Sequence, residues 1–149
     1  MVRRPKSSPT LDPKIDYRCI VEAWSIQLGS GAYSGALAEK EDQFFEEMEL
    51  CAAGRLAEPF RGLDRMTVNI NGNPAGIRYR GSIGSMRMET DHVWSSVEVS
   101  PDHFATLLTA FAAGKVKLIY PTAKPAKKRS NVPVSMIVLS THPVGYLEE

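Results

Sequence analysis

Residues 92–141 read HVWSSVEVSPDHFATLLTAFAAGKVKLIYPTAKPAKKRSNVPVSMIVLST, and the pattern of this stretch decides the class of fold. Val93, Val97 and Val99 share one side of an alternating run with Trp94 on the other, the period of a half-buried strand. Ser100 then suits an N-cap, Pro101 the first helical position and Asp102 the first turn. Phe104, Leu107, Leu108 and Phe111 recur at i, i+3, i+4 and i+7, which predicts one buried face of a helix over 100–113, closed by Gly114. Val116, Leu118 and Tyr120 alternate again. A basic loop broken by Pro121 and Pro125 covers 121–131, and 132–141 is the most apolar strand, with Val132, Val134, Met136 and Val138 on one face.

Outward from this block, toward the N-terminus, residues 17–28 alternate with apolar side chains on both faces: Tyr17, Cys19, Val21 and Ala23 against Ile20, Trp24, Ile26 and Leu28. Such a strand is expected to lie centrally, covered on both sides. A glycine–serine loop over 29–35 leads to a predicted helix over 38–53, with Phe44, Phe45, Met48, Cys51 and Ala52 as its apolar stripe and Gly54 as its stop. Met66, Val68 and Ile70 mark a second strand. The turn Asn71-Gly72-Asn73-Pro74 predicts a hairpin returning through 76–80, and Met86 and Met88 sit in a short strand after a bend at Gly81 and Gly84. Two helices are too few for a doubly wound sheet. The expected class is α+β and β-rich: a mostly antiparallel sheet or β-sandwich of six to seven strands with two packed helices.

The 149 residues, 43% hydrophobic and 23% charged, fit a single globular domain over 17–149. Residues 1–16, with Pro5, Pro9 and Pro13 and few apolar residues, are expected to form a disordered or loosely docked arm. No apolar run suits a signal peptide or approaches the roughly 20 residues that span a bilayer, so no membrane partner is expected. Cys19 and Cys51 form neither a disulfide framework nor a zinc site and fit a reduced, cytoplasmic setting.

Little in the chain points to catalysis. Gly29, Gly31 and Gly35 follow a strand and precede the predicted helix, but their spacing departs from the dinucleotide-binding pattern, and Glu39, Glu41 and Asp42 would repel a pyrophosphate. A plain connection is the expected role. His92, His103 and His142 lack metal-binding spacing. A hydrolase or metal-dependent enzyme would require Asp91, His92 and His142, with Glu89, to be gathered by folding. No catalytic residue, metal or cofactor is therefore assigned.

Charge is unevenly placed despite a net value of +1. Six acids and one base lie between Glu39 and Glu49, whereas Lys115, Lys117, Lys124, Lys127, Lys128 and Arg129 lie together with no acid. Lys124, Lys127, Lys128 and Arg129 are the candidate binding residues. An extended cationic loop can follow a phosphate backbone, with Arg78, Tyr79, Arg80 and Arg87 extending the surface. The plainer reading is a solvated hairpin tip that guards a sheet edge. The expected function is a small soluble binding or assembly module acting through its surface as a homo-oligomer. The alternative is binding of nucleic acid or another polyanion through the loop.

Overall fold

A computed structural model describes residues 13–33, 43–72 and 82–142. Its elements are β1 (Ile15–Asp16), β2 (Cys19–Tyr33), β3 (Gln43–Phe60), β4 (Leu63–Gly72), β5 (Gly84–Met88), β6 (Val93–Val99), α1 (Pro101–Ala112), β7 (Leu118–Ala123) and β8 (Val132–Ser140). The strands run in the order β7-β2-β3-β4-β6-β5-β8, and β8 pairs back onto β7. Seven strands thus close a barrel, with β1 as an outer strand on β7. All neighbours are antiparallel except β4 and β6, which run parallel. The expected open sheet or sandwich is corrected to a closed mixed barrel. Closure pairs β7 with β8, whose edges an open sheet would expose.

The core is the barrel interior. Leu50 and Ala52 of β3, Met66, Val68 and Ile70 of β4, Met86 of β5 and Val93 and Val97 of β6 are fully or almost fully buried. The predicted alternation in β4, β5 and β6 is found. Ser95 also points inward and donates to the Thr67 carbonyl at 3.4 Å.

Helix α1 begins as the sequence predicts: the Ser100 hydroxyl accepts from the His103 amide, and Gly114 turns out with φ +70°. It follows β6, so it lies at the end of the barrel where β6 and β4 finish together at Val99 and Gly72. Phe104 and Phe111 are buried there, while Leu107 and Leu108, expected to match them, are only half-buried. α1 is the one helix among the described residues. It is not long and apolar enough to cross a membrane.

The predicted helix over 38–53 is corrected: residues 34–42 lie outside the described residues, and Gln43–Phe60 is a strand. Hydrogen bonding to β2 on one side and β4 on the other overrides the weak helical preference of Glu, Ala and Met. Its buried face is Leu50, Ala52, Gly54 and Leu56, strictly alternating. Gly54 stops no helix. It lies where β2 presses so close that a Cβ would stand 1.8 Å from the Ile20 carbonyl oxygen.

β2 is not the doubly covered central strand expected. An irregularity between Val21 and Ala23 shifts its phase, so Cys19, Trp24, Ile26 and Leu28 come to one face, opposite Leu56, Ala52, Leu50 and Met48. Part of the N-terminal arm docks: Ile15 and Asp16 pair with Ala123 and Thr122, and the Thr122 hydroxyl donates to Asp16 at 2.7 Å. β7 also extends through Pro121 to Ala123, shortening the basic loop to 124–131. The hairpin return over 76–80 lies outside the described residues.

Candidate binding surfaces at the two ends of the barrel

One end of the barrel gathers the β3–β4 turn, the β5–β6 turn and the β7–β8 loop. The basic loop here is anchored. The Tyr17 hydroxyl donates to the Lys124 carbonyl at 3.2 Å and accepts from the Ala126 amide at 2.9 Å. The Met88 amide donates to the Lys127 carbonyl at 2.8 Å, and Arg61 Nη1 donates to the Ala126 carbonyl at 3.1 Å. Ala126 is fully buried, while Lys124, Lys127, Lys128 and Arg129 all face solvent. Burial pushes the Tyr17 phenol above its ordinary value, against the opposing pull of the Ala126 hydrogen bond and the Arg61 charge, so it stays neutral.

The loop brings Lys128 and Arg129 beside Arg61, around a depression of about 470 Å³ that Thr90 and Glu89 also line. Arg61 carries no motif, and no pattern in the chain groups it with the loop. Its backbone is unusual: Arg61 and Gly62 take φ +49° and +86° in the two-residue turn between Phe60 and Leu63. Its guanidinium sits 5.1 Å from the centre of the Phe60 ring. Arg87 is engaged elsewhere, 4.1 Å over Trp94, paired with Glu89 and donating to Asn131. Arg78, Tyr79 and Arg80 lie outside the described residues.

The β5–β6 turn also places Asp91 and His92 side by side, Oδ1 to Nδ1 at 2.7 Å, and this partner holds the exposed Asp91 carboxyl below its ordinary value. His142 follows β8 at the opposite end of the barrel, so Asp91, His92 and His142 do not converge. Among the described residues no three His, Cys, Asp or Glu side chains form a metal-holding group. Burial pushes the Cys19 thiol up to about 12 and raises that of Cys51, so neither is a ready nucleophile. Gly29 and Gly31 lie within β2, not in a phosphate-cradling loop.

The opposite end carries α1 and, among the described residues, the paired extension of β2 and β3. β2 and β3 pair from Cys19↔Leu56 to Tyr33↔Gln43, and the described pairing of β4 with β3 runs as far as Glu49↔Asn71. β7 leaves β2 after Ile20↔Leu118, apart from one bond from the Val21 amide to the Lys117 carbonyl at 3.1 Å. From Ala23 to Tyr33 the outer edge of β2 has no described strand beside it, and this run holds no charged residue. Trp24, Ile26 and Leu28 share one face and are 38%, 37% and 59% exposed. Trp24 leans on Phe111 of α1 with ring centres 5.5 Å apart. This surface was missed because the strand was read as central. The signal that marks it is the absence of charge.

Comparison with family models, curated proteins and solved structures finds no match to this chain.

Proposed function

We propose that this protein is a small soluble assembly module that pairs with a second copy of itself along the outer edge of β2. The observation that carries this reading is the uncharged edge from Ala23 to Tyr33 with Trp24, Ile26 and Leu28 partly exposed on one face. Edge strands that must stay single are guarded by lysine, proline or inward charges, and this one has none of them. Two copies related by a two-fold axis can run β2 against β2 antiparallel, which satisfies both rows of backbone groups with the same surface. The run itself carries no charge to oppose its own copy across the seam.

Sedimentation velocity of the wild type over rising concentration, beside Leu28→Lys, tests this reading. Leu28 is already 59% exposed, so lysine there should disturb the monomer little. In the pair, two leucines would lose their burial and two ammonium groups would be drawn from water. At about 1.5–3 kcal/mol for burying a whole leucine, and with 59% of each still exposed in the monomer, the loss is up to about 2–3.5 kcal/mol, roughly twenty- to several-hundredfold in the dimer constant. High salt should not separate the wild-type copies, because hydrogen bonds and apolar burial are not screened. A wild type that stays monomeric at high concentration, or association indifferent to Leu28→Lys, overturns the proposal. Dissociation by salt would instead favour pairing of the basic loop with an acidic surface.

A further inference from the structure

We infer that the loop end of the barrel is a site for a phosphate group, held by Arg61, Lys128 and Arg129. It is independent of the β2 edge, which uses the opposite end. Three features of the structure converge on it. First, two separate elements, the β3–β4 turn and the β7–β8 loop, deliver these three cations to one depression, and the β5–β6 turn adds the hydroxyl of Thr90. None of the three pairs with a carboxylate among the described residues, and Glu89, the acid beside them, is occupied by Arg87. Three uncompensated positive charges around a concavity focus the field on whatever anion enters it.

Second, the site is built in advance. Hydrogen bonds from Met88 and Arg61 and both bonds of Tyr17 hold the loop backbone at Lys124, Ala126 and Lys127. An anion therefore meets cations whose backbone is already placed, and ordering costs less than at a loose tip. Third, Arg61 keeps a left-handed backbone, φ +49°, in a turn that Asn or Gly would occupy at lower cost. Its link to Ala126 uses one of five guanidinium donors, and the planar fork matches two oxygens of a phosphate. The residues lining the depression include no aromatic ring, so recognition is of phosphate rather than of a stacked base. The phosphate belongs either to a nucleic-acid backbone or to a small phosphorylated molecule.

Full-length protein titrated into a labelled single-stranded DNA oligonucleotide, with inorganic pyrophosphate as competitor, tests this site. The variants are Lys128→Ser with Arg129→Ser, Arg61→Asn (which suits the left-handed turn) and, as control, Lys115→Ser with Lys117→Ser. Thermal melts by circular dichroism establish that each is folded. At about 50 mM salt each site cation removed should weaken binding by roughly tenfold, and the slope of log affinity against log salt should flatten by about 0.7 per lost contact. The control pair should change neither. Displacement of the oligonucleotide by pyrophosphate at low concentration identifies a small phosphorylated ligand, and resistance to it identifies a nucleic-acid backbone; either supports the site. If neither probe binds, or if the control pair weakens binding as much as the site pair, the inference is overturned.

Discussion

Phe111→Ala tests whether α1 is the plug of one barrel end. The ring is 2% exposed and lies 5.5 Å from that of Trp24, so alanine removes both a core filler and an aromatic neighbour. Truncation of a buried phenylalanine costs about 3–5 kcal/mol, because the transfer term and the cavity add. The lost ring pair contributes about 0.5–1.5 kcal/mol of further coupling, part of which that figure already contains. A total near 4 kcal/mol is a large share of the roughly 5–15 kcal/mol that holds a domain together. With a urea slope of about 2 kcal/mol per molar, the midpoint should fall by about 2 M. The assay is urea unfolding followed by tryptophan fluorescence, with exposed His103→Ala as the reference for a surface change. A Phe111→Ala loss below about 1 kcal/mol, the scale of a surface substitution, would refute the packing described.

The thiols should be nearly inert in the native state. Cys19, raised from 9.0 to about 12, should react with a disulfide reagent only through unfolding, and half-buried Cys51 should react first. The sign for stability follows: a raised thiol contributes fully below its unfolded value of 9.0, and that contribution is lost as pH climbs toward about 12. Gly54→Ala should abolish soluble expression, because its Cβ would lie 1.8 Å from a backbone oxygen. Gly62→Ala, at φ +86° with open space around it, should cost only about 1–2 kcal/mol in thermal unfolding.

Where local signals agreed, the sequence was legible. Ser100, Pro101, the four apolar residues of α1 and Gly114 each favour the same helix, and β4, β5 and β6 show their alternation plainly. The expected β8 face of Val132, Val134, Met136 and Val138 is corrected: an irregularity after Val134 leaves Met136 50% exposed and packs Ile137 and Leu139 against the core instead. Residues 44–52 failed because Phe44, Phe45, Met48, Cys51 and Ala52 also satisfy a helical period. Only pairing with β2 and β4, remote in sequence, decides for the strand. The exposed face of β2 was hidden by one irregularity at Glu22, since slipping the phase by a residue exchanges the two faces. Closure was equally out of reach, for it depends on β7 meeting both β2 and β8. Of the basic end, the four loop cations were visible as a charge run. Arg61 was not, because a turn conformation and a hydrogen bond to Ala126 place it there.

Pairing along β2 is tested most directly by amide hydrogen exchange measured on dilute and on concentrated protein. A second strand laid along the outer edge should protect alternate amides between Ala23 and Tyr33 at high concentration, while amides in β4 and β6 stay unchanged. Association with no added protection in this run, or protection that does not depend on concentration, would contradict the account.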